Sequence, residues 1–140
     1  MIMKKEVMAI VSQEIEAWIT RSLDKIQEYL RNEDIEGLEN FYAPFKDEYY
    51  AIGDKYGIEY LDAYEEQSSI VDDIFDIMFD AHYMWNHQTS LEWHRQSGRE
   101  ADAERERKRL DGIVKDVWRK IKSFHKRVKS EFSPPSRTTS

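Results

Sequence analysis

One run of the chain restricts its fold more than any other. Tyr60, Ala63, Gln67, Ile70, Ile74, Ile77, Ala81, Met84, Gln88 and Leu91 alternate spacings of three and four without a break. That rhythm is the seam of a helix packed along its length; a strand, with period two, cannot carry it. Val71, Phe75, Met78, Phe79 and Trp85 widen the apolar surface beyond a two-stranded stripe, so the helix is covered on more than one side. Taken as one helix, residues 58–97 are roughly 60 Å long. A compact chain of 140 residues is only about 37 Å across. The sequence therefore predicts either two helices meeting near Ser68-Ser69 or an elongated bundle.

The rest of the chain supplies partners for that seam. Over residues 4–31, Met8, Val11, Ile15, Trp18, Ser22, Ile26 and Tyr29 keep a 3–4 rhythm, and Val7, Ile19, Leu23 and Leu30 broaden it. Asn32 and Asp34 read as a stop and as the N-cap of the next helix. Residues 34–57 are helical in pattern but contain Pro44, which lacks an N–H and restricts Ala43. A short helix, a kink at Pro44 and a second helix to about Tyr56 are expected, with Gly57 as a left-handed C-cap. Gly98 ends the long seam. Residues 99–109 mix charges of both signs with no apolar stripe, as a hairpin tip or solvated helix start does. Leu110, Val114, Val117, Ile121, Phe124 and Val128 then form the matching seam of a last helix ending near Phe132. With five glycines, three prolines and no alternating pattern, strands are not expected. The fold class is all-α: an antiparallel bundle of about four long helices. Residues 1–132 form one domain, and residues 133–140 are expected to be a disordered tail.

Charge is segregated along the chain. The net charge of −7 combines −13 over residues 1–98 with +6 over residues 99–140. Residues 33–80 hold 15 acids against Lys46 and Lys55, and residues 113–129 hold seven bases against Asp116. The plain expectation is that the two segments pack side by side and screen one another; exposed instead, they would steer partners of either sign. The absence of cysteine excludes disulfides, thiolate nucleophiles and Cys-based zinc sites. The N-terminus does not read as a signal peptide and no stretch reaches the 18 or more apolar residues of a membrane span, so a cytoplasmic protein is expected.

Four groups of side chains are candidates for function. The first is carboxylate. Glu36 and Glu39 share a helix face at i, i+3, and Glu59 with Asp62 repeats the spacing. Glu-x-x-Glu followed by Glu-x-x-Asp is similar to the pattern of the all-α nucleotide pyrophosphohydrolases of the MazG-like group, which implies Mg²⁺ or Mn²⁺ held by several hard oxygens. Folding residues 34–56 back at Gly57 sets Glu59 roughly 30 Å from Glu36. It brings Glu36 and Glu39 level with positions 75–78, near Asp73, Asp76 and Asp80. These three lie on a stripe with Tyr83 and His87, read as the solvated side of the helix or, alternatively, as a divalent-metal site or an acidic docking face.

Histidine is the second group: His82, His87, His94 and His125 include no pair at i, i+3 or i, i+4, so no helical zinc motif is present. His82 is expected in the core. Arg119 and His125 form an Arg-x5-His string that resembles the small helical HEPN-type ribonucleases, although i and i+6 of one helix point about 120° apart. The third group is the basic run Arg119, Lys120, Lys122, Lys126, Arg127 and Lys129, which suits phosphates or an anionic partner. The fourth is aromatic: Tyr49, Tyr50, Tyr56, Tyr60, Tyr64, Phe75 and Phe79, a composition enriched at protein interfaces. Together these patterns point to a non-enzymatic interaction protein, a small adaptor, inhibitor or complex subunit. It would act as a homodimer or on a larger partner, without a cofactor. A metal-dependent phosphate-ester hydrolase and an acidic nucleic-acid mimic are the alternatives.

Overall fold

The computed structural model describes residues 4–58 and 68–132. Four helices succeed one another: α1 (Lys4–Arg31), α2 (Ile35–Lys55), α3 (Ser68–Gln96) and α4 (Glu100–Phe132). Neighbours in sequence are neighbours in space, and α4 returns to touch α1, which gives an up-down-up-down bundle. The antiparallel sense is fixed by the cross-helix pairs Lys55–Glu14 and Arg21–Glu48 between α1 and α2, Glu39–His82 and Phe45–Phe75 between α2 and α3, and Asp80–Lys120 and Asp73–Arg127 between α3 and α4.

Each turn ends its helix by the same device. After α2, Gly57 adopts φ 67° while its N–H reaches the carbonyl of Asp54 and that of Ile58 reaches Gly53. After α3, Gly98 adopts φ 73°, with N–H groups of Gly98 and Arg99 returning to Arg95 and His94. These are Schellman caps, which satisfy the last orphan carbonyls. The turn after α1 uses the same hydrogen bonds, Glu33 to Leu30 and Asp34 to Tyr29, but the left-handed residue is Glu33 with φ 54°. Asp34 then caps α2 by accepting from the N–H of Gly37 at 2.9 Å, as expected of it.

The expected seams are the core. Val11, Ile15, Trp18, Ser22 and Ile26 of α1, Ile70, Ile74, Ile77, Ala81, Met84 and Leu91 of α3, and Leu110, Val117, Ile121 and Phe124 of α4 are all buried. Trp18 is the centre of an aromatic cluster, its ring 4.8 Å from Phe45, 4.9 Å from Tyr49 and 6.0 Å from Phe75. Its indole N–H donates to the carbonyl of Phe45 at 3.0 Å, which lets a polar atom be buried without penalty.

Two expectations change in the structure. Within residues 34–57 there is one continuous helix, Ile35–Lys55, with Pro44 inside it, not two. Pro44 and Asn40 lie on the exposed side, where water can satisfy the Asn40 carbonyl that lacks a donor. The long seam of residues 58–97 is helical from Ser68; Tyr60 and Ala63, with the rest of residues 59–67, lie outside the described residues. No helix among the described residues is long and apolar enough to cross a membrane.

Candidate functional site

The stripe on α3 divides between two environments. Asp73 pairs with Arg127, Asp80 with Lys120 at 2.7 Å, and His87 Nδ1 lies 2.6 Å from Glu106. These three positions are seven apart, so each returns to the same side of α3 and meets α4. Glu106 also binds Arg109 at 3.2 Å. The hydrogen bond from His87 is the main reason its carboxyl sits below the usual range; burial opposes the shift, and the charges of His87 and Arg109 add to it. Asp76 and Tyr83, by contrast, face water. The acidic and basic segments therefore pack side by side and screen one another along the α3–α4 seam. A small cleft of about 210 Å³ remains there between Asp73, Asp76, Lys120 and Arg127.

The carboxylates of the metal alternative are not brought together. Glu39 is level with His82, 2.9 Å from its Nδ1, because Tyr42 stands opposite Phe79 and Phe45 opposite Phe75. The expected register, with Glu36 and Glu39 at positions 75–78, is thus several residues off. Glu36 is exposed on α2, while Asp73 and Asp80 turn the other way, toward α4. Among the described residues no group of three or more His, Asp or Glu is placed to hold a metal ion. Glu59 and Asp62 lie outside the described residues. His82 is not a core histidine: its side chain is 56% exposed, held at the α2–α3 edge by Glu39 and stacked at 6.3 Å on Trp85. His125 reaches Gln27 of α1 and Arg119 pairs with Asp116, so the Arg-x5-His string points two ways.

The aromatics also separate. Tyr49 is buried beside Trp18, Phe75 is half-buried with its ring edge-on to Phe45, and Tyr56 is half-buried with the Lys55 ammonium 5.4 Å from its ring. Tyr60 and Tyr64 lie outside the described residues. Tyr50 and Phe79 are 56% and 50% exposed, and Tyr83, which aromatic crowding did not single out, is 58% exposed. Glu39, Tyr42, Lys46 and Tyr50 share one edge of α2 by helical spacing, with Phe79 packed 6.0 Å from Tyr42 across the groove. Asp72, Asp76, Phe79 and Tyr83 continue that surface along the outside of α3.

The basic run splits in the same way. Lys120 and Arg127 are taken up by the seam, whereas Arg119, Lys122, Lys126 and Lys129, together with Lys115, form a single outward stripe on α4. A larger cavity, about 430 Å³, opens between the α1–α2 turn and the α3–α4 hairpin, lined by Leu30, Ile35, Leu91, Val114 and Trp118 with Arg31 and Arg95 at hand. Helical periodicity contains the outward stripes; nothing in it announces the cavity, which depends on where the α1–α2 turn falls against α3. Compared with known proteins, the chain matches no family model, no curated protein and no solved structure.

Proposed function

We propose that this chain is a non-enzymatic interaction protein, a small adaptor, inhibitor or complex subunit that holds another protein against the outer face of α2 and α3. The observation that carries this reading is the exposure of Tyr50, Phe79 and Tyr83, each at least half in water. All three lie on one face, beside the carboxylates of Asp72 and Asp76. Aromatic rings left at the surface regain their hydrophobic contribution only when a partner covers them, about 25 cal/mol for each Å² of apolar area removed from water. Carboxylates beside the rings favour a partner segment that presents Lys or Arg together with apolar groups, through ion pairs and cation–π contacts. Within this reading the protein works in the cytoplasm and needs no metal or other cofactor.

The test is capture after crosslinking in cells, with the wild-type chain and a Phe79→Ala/Tyr83→Ala variant as baits. The expected result is a protein retained by the wild type and lost by the variant. Identical retention by both baits, with unchanged helical content, rejects the face.

A further inference from the structure

The outer row of α4 is a second surface, independent of the α2–α3 face. We infer that it binds the phosphate backbone of duplex DNA without reading the base sequence. Lys108, Lys115, Arg119, Lys122, Lys126 and Lys129 recur at spacings of seven, four, three, four and three, and all are exposed. Gly112 fills the one gap, so the row holds no acidic and no apolar side chain. It keeps to one side of the helix over about 32 Å. The buried side of α4, with Val117, Ile121 and Phe124, is opposite. Lys120 and Arg127 turn to α3, where Asp80 and Asp73 take them up. Trp118 and His125 turn to α1, where they meet Arg31 and Gln27. The row is what neither neighbour uses.

These cations are available. Lys115, Lys122 and Lys126 form no ion pair among the described residues. Arg119 holds Asp116 at 3.0 Å, but with side chains 78% and 58% exposed that contact competes weakly with a phosphate. Glu104, the acid nearest Lys108, is already held by Arg107. The acidic surface does not neutralise the row either. Asp72, Asp76, Phe79 and Tyr83 lie along the border of α3 with α2, whereas α4 packs on α3 and α1. The two faces are about two helix diameters, roughly 20 Å, apart. That is more than two Debye lengths of about 8 Å at physiological salt. The net charge of −7 therefore leaves the local attraction in place.

The composition of the row selects the partner. A protein interface is built on an apolar core and is poor in lysine; five of these six cations are lysine, with no apolar side chain among them. Neutralising phosphates needs only cations, each contact releasing a counterion. Single strands are held by rings on which bases stack. Here Trp118 is turned to Arg31 of α1 and Phe124 is buried. Double-stranded RNA is recognised through its 2′-hydroxyls, and a row of Lys and Arg offers such a hydroxyl no acceptor. Duplex DNA fits, with one charge per about 1.7 Å of axis. A row of about 32 Å spans close to one helical turn of it, ~34 Å. With a single arginine and no Asn or Gln in the row, base edges go unread and binding is independent of sequence.

Fluorescence anisotropy of a labelled DNA duplex of about 20 base pairs, two helical turns, titrated with the full chain at several salt concentrations, tests it. A dissociation constant on the order of micromolar is expected at about 50 mM salt, the same for two unrelated sequences. Log affinity should fall against log salt with a slope of about −4 to −5, as four to five phosphate contacts require. Lys122→Glu/Lys126→Glu should weaken binding about tenfold or more and make the slope shallower by about 2. Lys122→Arg/Lys126→Arg should bind as the wild type does, and circular dichroism checks that both variants are folded. Phe79→Ala/Tyr83→Ala, on the other face, should leave DNA binding unchanged, so the two surfaces fail separately. No saturable binding at low salt, or binding that survives the charge reversal, overturns the proposal. So does tighter binding of single-stranded DNA, of duplex RNA, or of poly-glutamate of equal charge, the last of which assigns the row to an acidic protein instead.

Discussion

Replacing Glu33 with glycine should stabilise this protein, against the usual direction of single substitutions. Glu33 is the one non-glycine residue with positive φ among the described residues, at 54°, and it occupies the position filled by Gly57 and Gly98 at the other two turns. An L-residue in the left-handed region costs about 1–2 kcal/mol. Glycine removes that cost but adds backbone freedom to the unfolded chain, worth about 0.5–1 kcal/mol in the other direction. The net gain is therefore about 0.5–1 kcal/mol. The side chain offers little to lose: it is exposed and forms no ion pair or hydrogen bond among the described residues. The capping bonds from Glu33 to Leu30, Asp34 to Tyr29 and Gly37 to Asp34 involve main-chain groups and the Asp34 carboxylate, which glycine leaves in place. With an unfolding entropy of about 2.1 cal/mol/K per residue, a two-state chain of 140 residues shifts by roughly 2–3 °C. Thermal unfolding monitored by circular dichroism measures it, with Glu33→Ala as control. Alanine deletes the same side chain but keeps the left-handed penalty, so it should melt no higher than the wild type. A glycine variant that melts with or below the alanine variant refutes the assignment of strain to this turn.

Other substitutions test other parts of the fold. Trp18→Phe removes the donor to the Phe45 carbonyl and part of the ring that meets Phe45, Tyr49 and Phe75; a loss of about 2–3 kcal/mol in urea unfolding is expected, and a change below 1 kcal/mol would mean the cluster is not central. Gly37→Ala places a Cβ against the Asp34 carboxylate and the Tyr29 ring, so it should cost about 1 kcal/mol or more by expelling the N-cap, and an unchanged melting temperature contradicts that crowding. His87→Ala should cost about 1–2 kcal/mol near neutral pH, where it strips the main hydrogen bond from the Glu106 carboxylate. Because the folded carboxyl of Glu106 is held below its ordinary range, its contribution is present above that range and is lost as pH falls through the depressed value. The acid limb of the stability–pH curve should therefore be shallower in His87→Ala than in the wild type, and identical limbs would show that the pair is not formed in solution.

The helices were legible because burial repeats every three to four residues, and the seams from Val11 to Ile26, Ile70 to Leu91 and Leu110 to Phe124 keep that period closely. The α1–α2 turn was legible only in part. Asp34 has the chemistry of an N-cap, but a glutamate gives no sign that it will adopt a left-handed conformation; the three capping hydrogen bonds around it impose that. Pro44 misled for a related reason. Proline removes one hydrogen bond from a helix and crowds the carbonyl four residues earlier, and a helix runs on through it most readily where that carbonyl can turn to water. Whether Asn40 faces water is a tertiary fact, fixed by the burial of Leu38, Phe45 and Tyr49 on the opposite side.

The candidate surfaces show why the remainder resisted reading. On one helix, a charge turned toward a neighbour and a charge turned toward solvent both look polar, and both recur with the same period. Asp73 and Asp76 are three residues apart, yet one is bound to Arg127 and the other faces water. What separates them is the register of α3 against α4, set by Ile77, Phe124 and the other apolar side chains beneath. Once that register is known, the polar residues sort themselves without further assumption. Those whose heights agree and whose directions converge form the seam, and those left outward are the ones whose charges a partner must match.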